Sequence, residues 1–152
     1  MGREDGHAIL SSTCFQLGIA GAQITRSFSP LIQHTGLTHK QVGLLAVVDT
    51  AQASSQREIA ARLGVAPSLV VSLVDQLTSL GAVRRTRSRT DRRVQVIEIT
   101  DDGRQLLRLA TDAAKILDTD LRKHLSPADL QALDRLLPTL LQASSAAAKS
   151  RV

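Results

Sequence analysis

The densest chemistry in this 152-residue chain lies at residues 84–93, RRTRSRTDRR, where six Arg and one Asp carry a net charge of +5. The whole chain also carries +5, so everything outside this run balances to zero. Guanidinium groups gathered in this way suit a polyanion, because each presents a planar fork of donors to phosphate oxygens. A solvated basic loop is the plain alternative. Cys14 is the only cysteine, which excludes an internal disulfide framework and a Cys-based zinc finger and leaves a single thiol for redox chemistry or for packing. The four His share no ligand spacing: His34 and His39 stand five apart across a loop, His7 is near the start, and His124 follows Arg122 and Lys123. No Gly-rich phosphate loop, Ser-His-Asp set or carboxylate pair stands out, so neither a metal, a cofactor nor catalysis is expected.

Composition narrows the partner. Aromatic residues make up 1% of the chain, two Phe with no Tyr or Trp, which argues against the stacking platforms that bind single-stranded nucleic acid. The core must come from Leu, Val, Ile and Ala, consistent with 43% hydrophobic and 22% charged residues in a globular chain. The longest apolar run, Val42 to Val48 interrupted by Gly43, is far short of the roughly 20 residues of a membrane span. The start, MGREDGHAIL, carries acids and has no apolar signal core, so a cytoplasmic protein without membrane contact is expected.

The elements that must carry the basic run can be read from caps and periods. Leu10, Cys14, Leu17, Gly21, Ile24, Phe28 and Leu31 recur at helical spacing over residues 9–33, with Pro30 placed to bend or break the last turn and Gly36 to close it. Thr38 with Gln41 and Ser55 with Glu58 fit capping boxes that begin helices running to about residues 49 and 63. Gly64 ends the latter, and Pro67 opens a further helix over 67–80 that Gly81 stops. Two short helices joined by a tight Gly-containing turn are a helix-turn-helix signature.

Beyond Gly81 the period shifts to that of strands at 82–87 and 94–100, around a charged loop at 88–93. A helix-turn-helix followed by a basic hairpin is a winged helix, whose second helix can enter the major groove while the hairpin reaches phosphate or the minor groove. Asp101 and Asp102 favour the start of a long helix to about residue 125, with Leu106, Ala110, Ala113, Leu117 and Leu121 on one face. Ser126, Pro127 and Asp129 begin a last helix carrying Leu130, Leu133, Leu137, Leu140 and Leu141, which frays into AAAKSRV. The terminal helices hold more apolar surface than a small winged helix covers, so burial between two chains is expected. The fold class is mainly α with a small β-hairpin: a single domain over 1–152, with a winged helix-turn-helix lobe at 38–100 and dimerisation helices at 8–35 and 101–148.

These residues resemble the MarR family of winged-helix transcription regulators from about Ile9 to Leu141. The most specific segment is Asp91-Arg92-Arg93 continuing to Ile99-Thr100 and Gly103, similar to the family wing pattern of D-x-R, five residues, an aliphatic, Thr and a nearby Gly. Gly36-Leu37-Thr38 with Gln41, Ile59-Ala60 with Leu63-Gly64, and Leu73-Val74-Asp75 with Leu77 and Gly81 agree as well. The resemblance implies a homodimer on a pseudo-palindromic operator in double-stranded DNA. It also implies that Arg93 enters the minor groove and that Asp91 orients the wing through a charge-assisted hydrogen bond to a neighbouring Arg; a turn-forming loop residue is the plain alternative for Asp91.

Arg84, Arg87, Arg89 and Arg92 complete the expected wing contacts. Where many relatives carry Thr, Arg and Arg in the recognition helix this chain has Val71, Ser72 and Gln76, and Ala66 replaces the usual Ser before Pro67. Base reading then falls to Ser68, Ser72, Gln76 and apolar contacts from Leu69 or Val71, with phosphate contacts from Ser55, Gln56 and Arg57.

Control has two readings. Cys14-Phe15 is similar to the sensor site of the organic-hydroperoxide-sensing branch, whose partner tyrosines fall on Phe28 and His39 here. A protonated His39 from the partner chain would activate the thiol. Alternatively a cleft lined by Cys14, Phe28 and His39, with Arg26 nearby, admits a small aromatic or anionic effector. The expected function is a repressor released by a small molecule or by oxidation. The alternative from another class is a winged-helix protein-interaction or assembly module with little specific DNA binding.

Overall fold

Local side-chain caps set the starts of the helices that begin after Thr38, Ser55 and Thr100. The computed structural model describes residues 2–51 and 54–149. Its helices are α1 (Gly2–Ser11), α2 (Thr13–Ile32), α3 (His39–Ala51), α4 (Gln56–Leu63), α5 (Pro67–Ser79), α6 (Asp101–Arg122) and α7 (Pro127–Lys149), with strands β1 (Val83–Arg87) and β2 (Gln95–Ile99) between α5 and α6.

The single helix expected over residues 9–33 is two helices, because Ser12 is extended at φ −67° and ψ 143°. The hydroxyls of Ser11 and Ser12 donate back to the carbonyls of His7 and Ile9, at 2.9 and 2.6 Å, and compete with the helical ladder. Pro30 neither breaks nor ends α2, which continues to Ile32 before a 3₁₀ turn at Gln33–Thr35 closes on Gly36 at φ 71°. Both expected capping boxes form. Thr38 and Gln41 exchange bonds of 2.8 and 3.4 Å, and Ser55 and Glu58 bonds of 2.8 and 3.2 Å. The last helix runs on through the alanines to Lys149 rather than fraying from residue 146, and residues 150–152 lie outside the described ones.

The main core joins Leu44, Leu45 and Val48 of α3, Ile59 of α4, Val70, Val74 and Leu77 of α5, and Ile97 of β2. A second cluster sets Phe28 and Ile32 of α2 against Ala110 and Ala113 of α6. The hairpin is antiparallel, with Val83 opposite Ile99 and Arg87 opposite Gln95. Ser54, just before α4, adds a short third edge, donating to the Ile97 carbonyl at 3.2 Å and accepting from the Ile97 amide at 2.8 Å.

The hairpin root is locked to α6. Thr100 caps that helix through the Gly103 amide at 3.0 Å and donates its hydroxyl to the Gly81 carbonyl at 2.6 Å. At Gly103 the chain passes so close that a Cβ would lie 2.0 Å from the Ala82 carbonyl oxygen. Burial of the terminal helices within one chain is poor. Leu10, Cys14, Leu17 and Ile24, read as one apolar face, stay exposed, as do Leu121 and Leu137, and Leu141 is 71% exposed. Among the described residues no helix is long and apolar enough to cross a membrane.

Candidate nucleic-acid interface

Helix α5 is held by its inner face and open on the other. Val70, Leu73, Val74 and Leu77 are buried, whereas Ser68, Val71, Ser72 and Gln76 are exposed. Leu69 is half-buried against the core, which leaves Val71, 42% exposed, as the apolar side chain on the open face. Ala66 supplies no side-chain cap, so the first-turn amides of α5 are not claimed by a local side chain. Gln76 is held rather than free: its Oε1 accepts from Nε2 of the buried Gln41 at 2.8 Å, and its Nε2 donates to Ser72 Oγ at 3.3 Å. Sequence reasoning reads Gln41 only as a helix cap, because its bond to Gln76 joins residues 35 apart.

At the start of α4, Ser55 is half-buried with its hydroxyl engaged in the cap, Gln56 is half-buried and Arg57 is exposed. The wing divides its guanidinium groups by role. Arg84 pairs with Glu98 at 3.0 Å across the strands, and Arg85 pairs with Asp75 of α5, tying the hairpin to the helix. Arg87, Arg89, Arg92 and Arg93 are exposed and form no ion pair among the described residues. Asp91 does not pair with a guanidinium as expected. Its Oδ1 accepts from the backbone amide of Arg93 at 2.9 Å, because the tight turn brings that amide within reach, and Ser88 Oγ accepts from the Thr90 and Asp91 amides. The tip is therefore folded by bonds from backbone amides to the Ser88 and Asp91 side chains, which leave the Arg side chains unengaged. A concavity of about 560 Å³ runs from Ser55 and Glu58 to Arg87, Arg89 and Asp91.

A second site lies under α2. The Phe28 and His39 rings meet edge to face, 6.2 Å between centroids at 88°. They border a cavity of about 450 Å³ with Ile24, Lys115, Leu117 and Asp118. Within one chain Cys14 and Arg26 do not line it, and the expected grouping draws His39 from the partner chain. Cys14 sits fourteen residues before Phe28 in α2, about 21 Å along the axis, exposed and with its Sγ 3.4 Å from Ser12 Oγ. Arg26 precedes Phe28 by two residues, about 200° around the helix, and borders a separate hollow with Gly36 and Leu37. Lys115 and Asp118 were missed because their spacing alone reads as a solvated face of α6. Among the described residues no group of three or more His, Cys, Asp or Glu could hold a metal.

A short helix pair joined at Gly64 and followed by a hairpin braced to its second helix defines a winged helix-turn-helix protein. The chain belongs to the MarR family, whose model matches residues 35–94. A putative transcriptional regulatory protein for the hcr operon of Thauera aromatica is 33% identical over 121 residues, covering 79% of this chain and 73% of that protein. The HTH-type transcriptional regulator TtmR of Methylorubrum extorquens is 34% identical over 105 residues, 69% of this chain, and the match spans 54%, about half, of that relative's length. Among solved structures, the transcriptional repressor CouR bound to a 23-mer DNA duplex superposes with a TM-score of 0.77 at 29% identity, covering 85% of this chain and 92% of that one. CouR from Rhodococcus jostii RHA1 bound to p-coumaroyl-CoA gives 0.77 at 25% identity, covering 88% and 94%.

Proposed function

We propose that the protein is a homodimeric, sequence-specific DNA-binding transcription regulator, a repressor released by a small aromatic or anionic molecule, and that it acts in the cytoplasm and not as an enzyme. The observation that carries this reading is the wing: Arg87, Arg89, Arg92 and Arg93 stand exposed and unpaired among the described residues, on a hairpin anchored to a helix with an open polar face. Residues 38–100 form the DNA-binding lobe. Arg93 takes the minor groove, the other wing Arg and Arg57 take phosphates, and Ser68, Val71, Ser72 and Gln76 face the major groove. Residues 8–35 and 101–148 form the dimer, whose second copy covers the exposed leucines and isoleucines of the terminal helices.

The cavity beside Phe28 and His39 favours a small-molecule effector. It lies between α2, α3 and α6, offers an apolar wall edged by Asp118 and by Lys115, which pairs with Asp112 at 3.1 Å, and borders the first turn of α3, from which the DNA-binding lobe continues. Relatives named as transcriptional regulators, and the likeness to CouR bound to a duplex and to p-coumaroyl-CoA, support the same reading. The test is binding to duplex fragments of the protein's own promoter region across salt concentrations. Several phosphate contacts per dimer predict a log-log slope of about −4 to −7. Weak, salt-insensitive binding to every fragment transfers the wing to a protein-interaction role.

A further inference from the structure

Gln41 lies in the first turn of α3 and is 5% exposed, yet it reaches the open face of α5 through two hydrogen bonds in series, with a third from Thr38 behind it. Its Oε1 accepts from the Thr38 backbone amide at 2.8 Å, its Nε2 donates to Gln76 Oε1 at 2.8 Å, and Gln76 Nε2 donates to Ser72 Oγ at 3.3 Å. The first bond sets the direction of the rest. A backbone N–H can only donate, so the Gln41 oxygen faces Thr38 and its amino group faces Gln76. Gln76 must then turn its oxygen inward and its amino group toward Ser72. Ser72 Oγ, already accepting, keeps its own proton for a partner outside the protein.

We infer that Gln41 is a positioning residue that fixes Gln76 and Ser72 as hydrogen-bond donors toward DNA, so that this part of the recognition helix selects guanine and rejects the adenine that a free Gln prefers. An unconstrained Gln reads adenine with one donor and one acceptor side by side, the amide oxygen taking the N6 proton while the amino group gives to N7. Here that oxygen is drawn inward by Gln41. Guanine presents two acceptors, O6 and N7, in the major groove and matches a pair of donors. The inference rests on the DNA-binding reading above and adds to it a base class and a residue that never touches DNA.

The experiment selects duplexes from a randomised library with the native protein, Gln76→Ala, Gln41→Glu and Gln41→Met. The position whose preference disappears in Gln76→Ala is the one Gln76 reads. The native protein is expected to hold guanine there, and replacing it with 7-deazaguanine, which lacks the N7 acceptor, lowers native affinity about fivefold. Gln41→Glu keeps the length and the acceptor for Thr38 but offers Gln76 an oxygen in place of an amino group. Gln76 must then reverse, and the preference moves to a base carrying a donor, adenine or cytosine. Gln41→Met removes the constraint without burying a charge, so adenine joins guanine. Adenine at this position with the native protein overturns the inference, and the base-analogue measurement decides the matter even if a Gln41 variant fails to fold. An unchanged consensus in both Gln41 variants also overturns it while leaving the DNA-binding reading intact. No consensus from the native protein overturns both.

Discussion

At the scale of single residues, the wing tip separates what charge does from what folding does. Arg93→Ala removes a free guanidinium and is expected to weaken specific binding by roughly 1 to 3 kcal/mol, measured by fluorescence anisotropy on the best promoter fragment. Asp91→Ala is the instructive companion. It removes a negative charge from a cationic loop, which alone would strengthen binding, but it also removes the acceptor that holds the Arg93 amide at 2.9 Å. We expect a net loss of specific affinity with non-specific binding maintained or raised; equal gains on operator and random DNA would show that the turn needs no brace. Asp91 was legible in the sequence as a wing residue, but its partner was not, since spacing does not distinguish a backbone amide from a guanidinium two residues on. Cys14 carries the opposite lesson. The resemblance groups it with Phe28 and the partner chain's His39, and within one chain four turns of helix separate Cys14 from Phe28. With release assigned to the cavity, Cys14→Ser should respond to an aromatic acid as the native protein does, and loss of that response in the variant would return the thiol to the mechanism.

At the scale of elements, the sequence declares its helices where side chains cap locally and conceals them where distant groups intervene. Ser55 with Glu58 and Thr38 with Gln41 were readable because both partners of each box lie within four residues. The break at Ser12 was not, because serine hydroxyls bonding to carbonyls three and four residues back leave the apolar period intact. Nor was the Ser54 bridge to Ile97, which joins segments far apart in the chain. The glycine in the wing pattern gains a reason at this scale. Gly103→Ala would drive a Cβ to 2.0 Å from a backbone oxygen, forcing α6 away from the hairpin root, and should cost about 3 kcal/mol or more in denaturant unfolding.

Helix α7 is tied to α6 by Arg122, whose guanidinium donates to both oxygens of Asp134 at 2.9 Å. The hydrogen bonds from Arg122 hold the Asp134 carboxyl below the usual carboxylate range. A group whose pKa is lowered on folding stabilises the fold above its unfolded pKa of about 3.9, and the contribution is lost as pH falls through the lower folded value. The protection of α7 amides relative to their intrinsic exchange rate should therefore fall on acidification through the carboxylate range, and in Asp134→Asn it should already be lower at neutral pH and flatter with pH. An identical pH response in that variant would remove the pair from the account.

At the scale of the whole molecule, the winged lobe closes on its own core while the terminal helices leave theirs open. Ile9, Leu10, Phe15, Leu17, Ile116, Leu136 and Leu141 are each more than two-fifths exposed on α1, α2, α6 and α7. On the proposal that a second copy provides the cover, removal of residues 126–152 should give an aggregating product, and a well-folded monomer in light scattering from either the full chain or the truncation would contradict the dimer. Two recognition helices are then expected about 34 Å apart on a pseudo-palindrome.

The placement of charge has a further consequence for how such a dimer meets its site. Since residues 84–93 hold as much net charge as the entire chain, each subunit is a strong electric dipole whose positive pole is its hairpin. Two-fold symmetry cancels the components across the axis and adds those along it. The field of an approaching duplex then exerts a torque before any contact forms, turning the dyad of the protein toward the helix axis of the DNA. Both wings arrive facing the phosphates, and the rotational part of the search is shortened in a way that added salt abolishes.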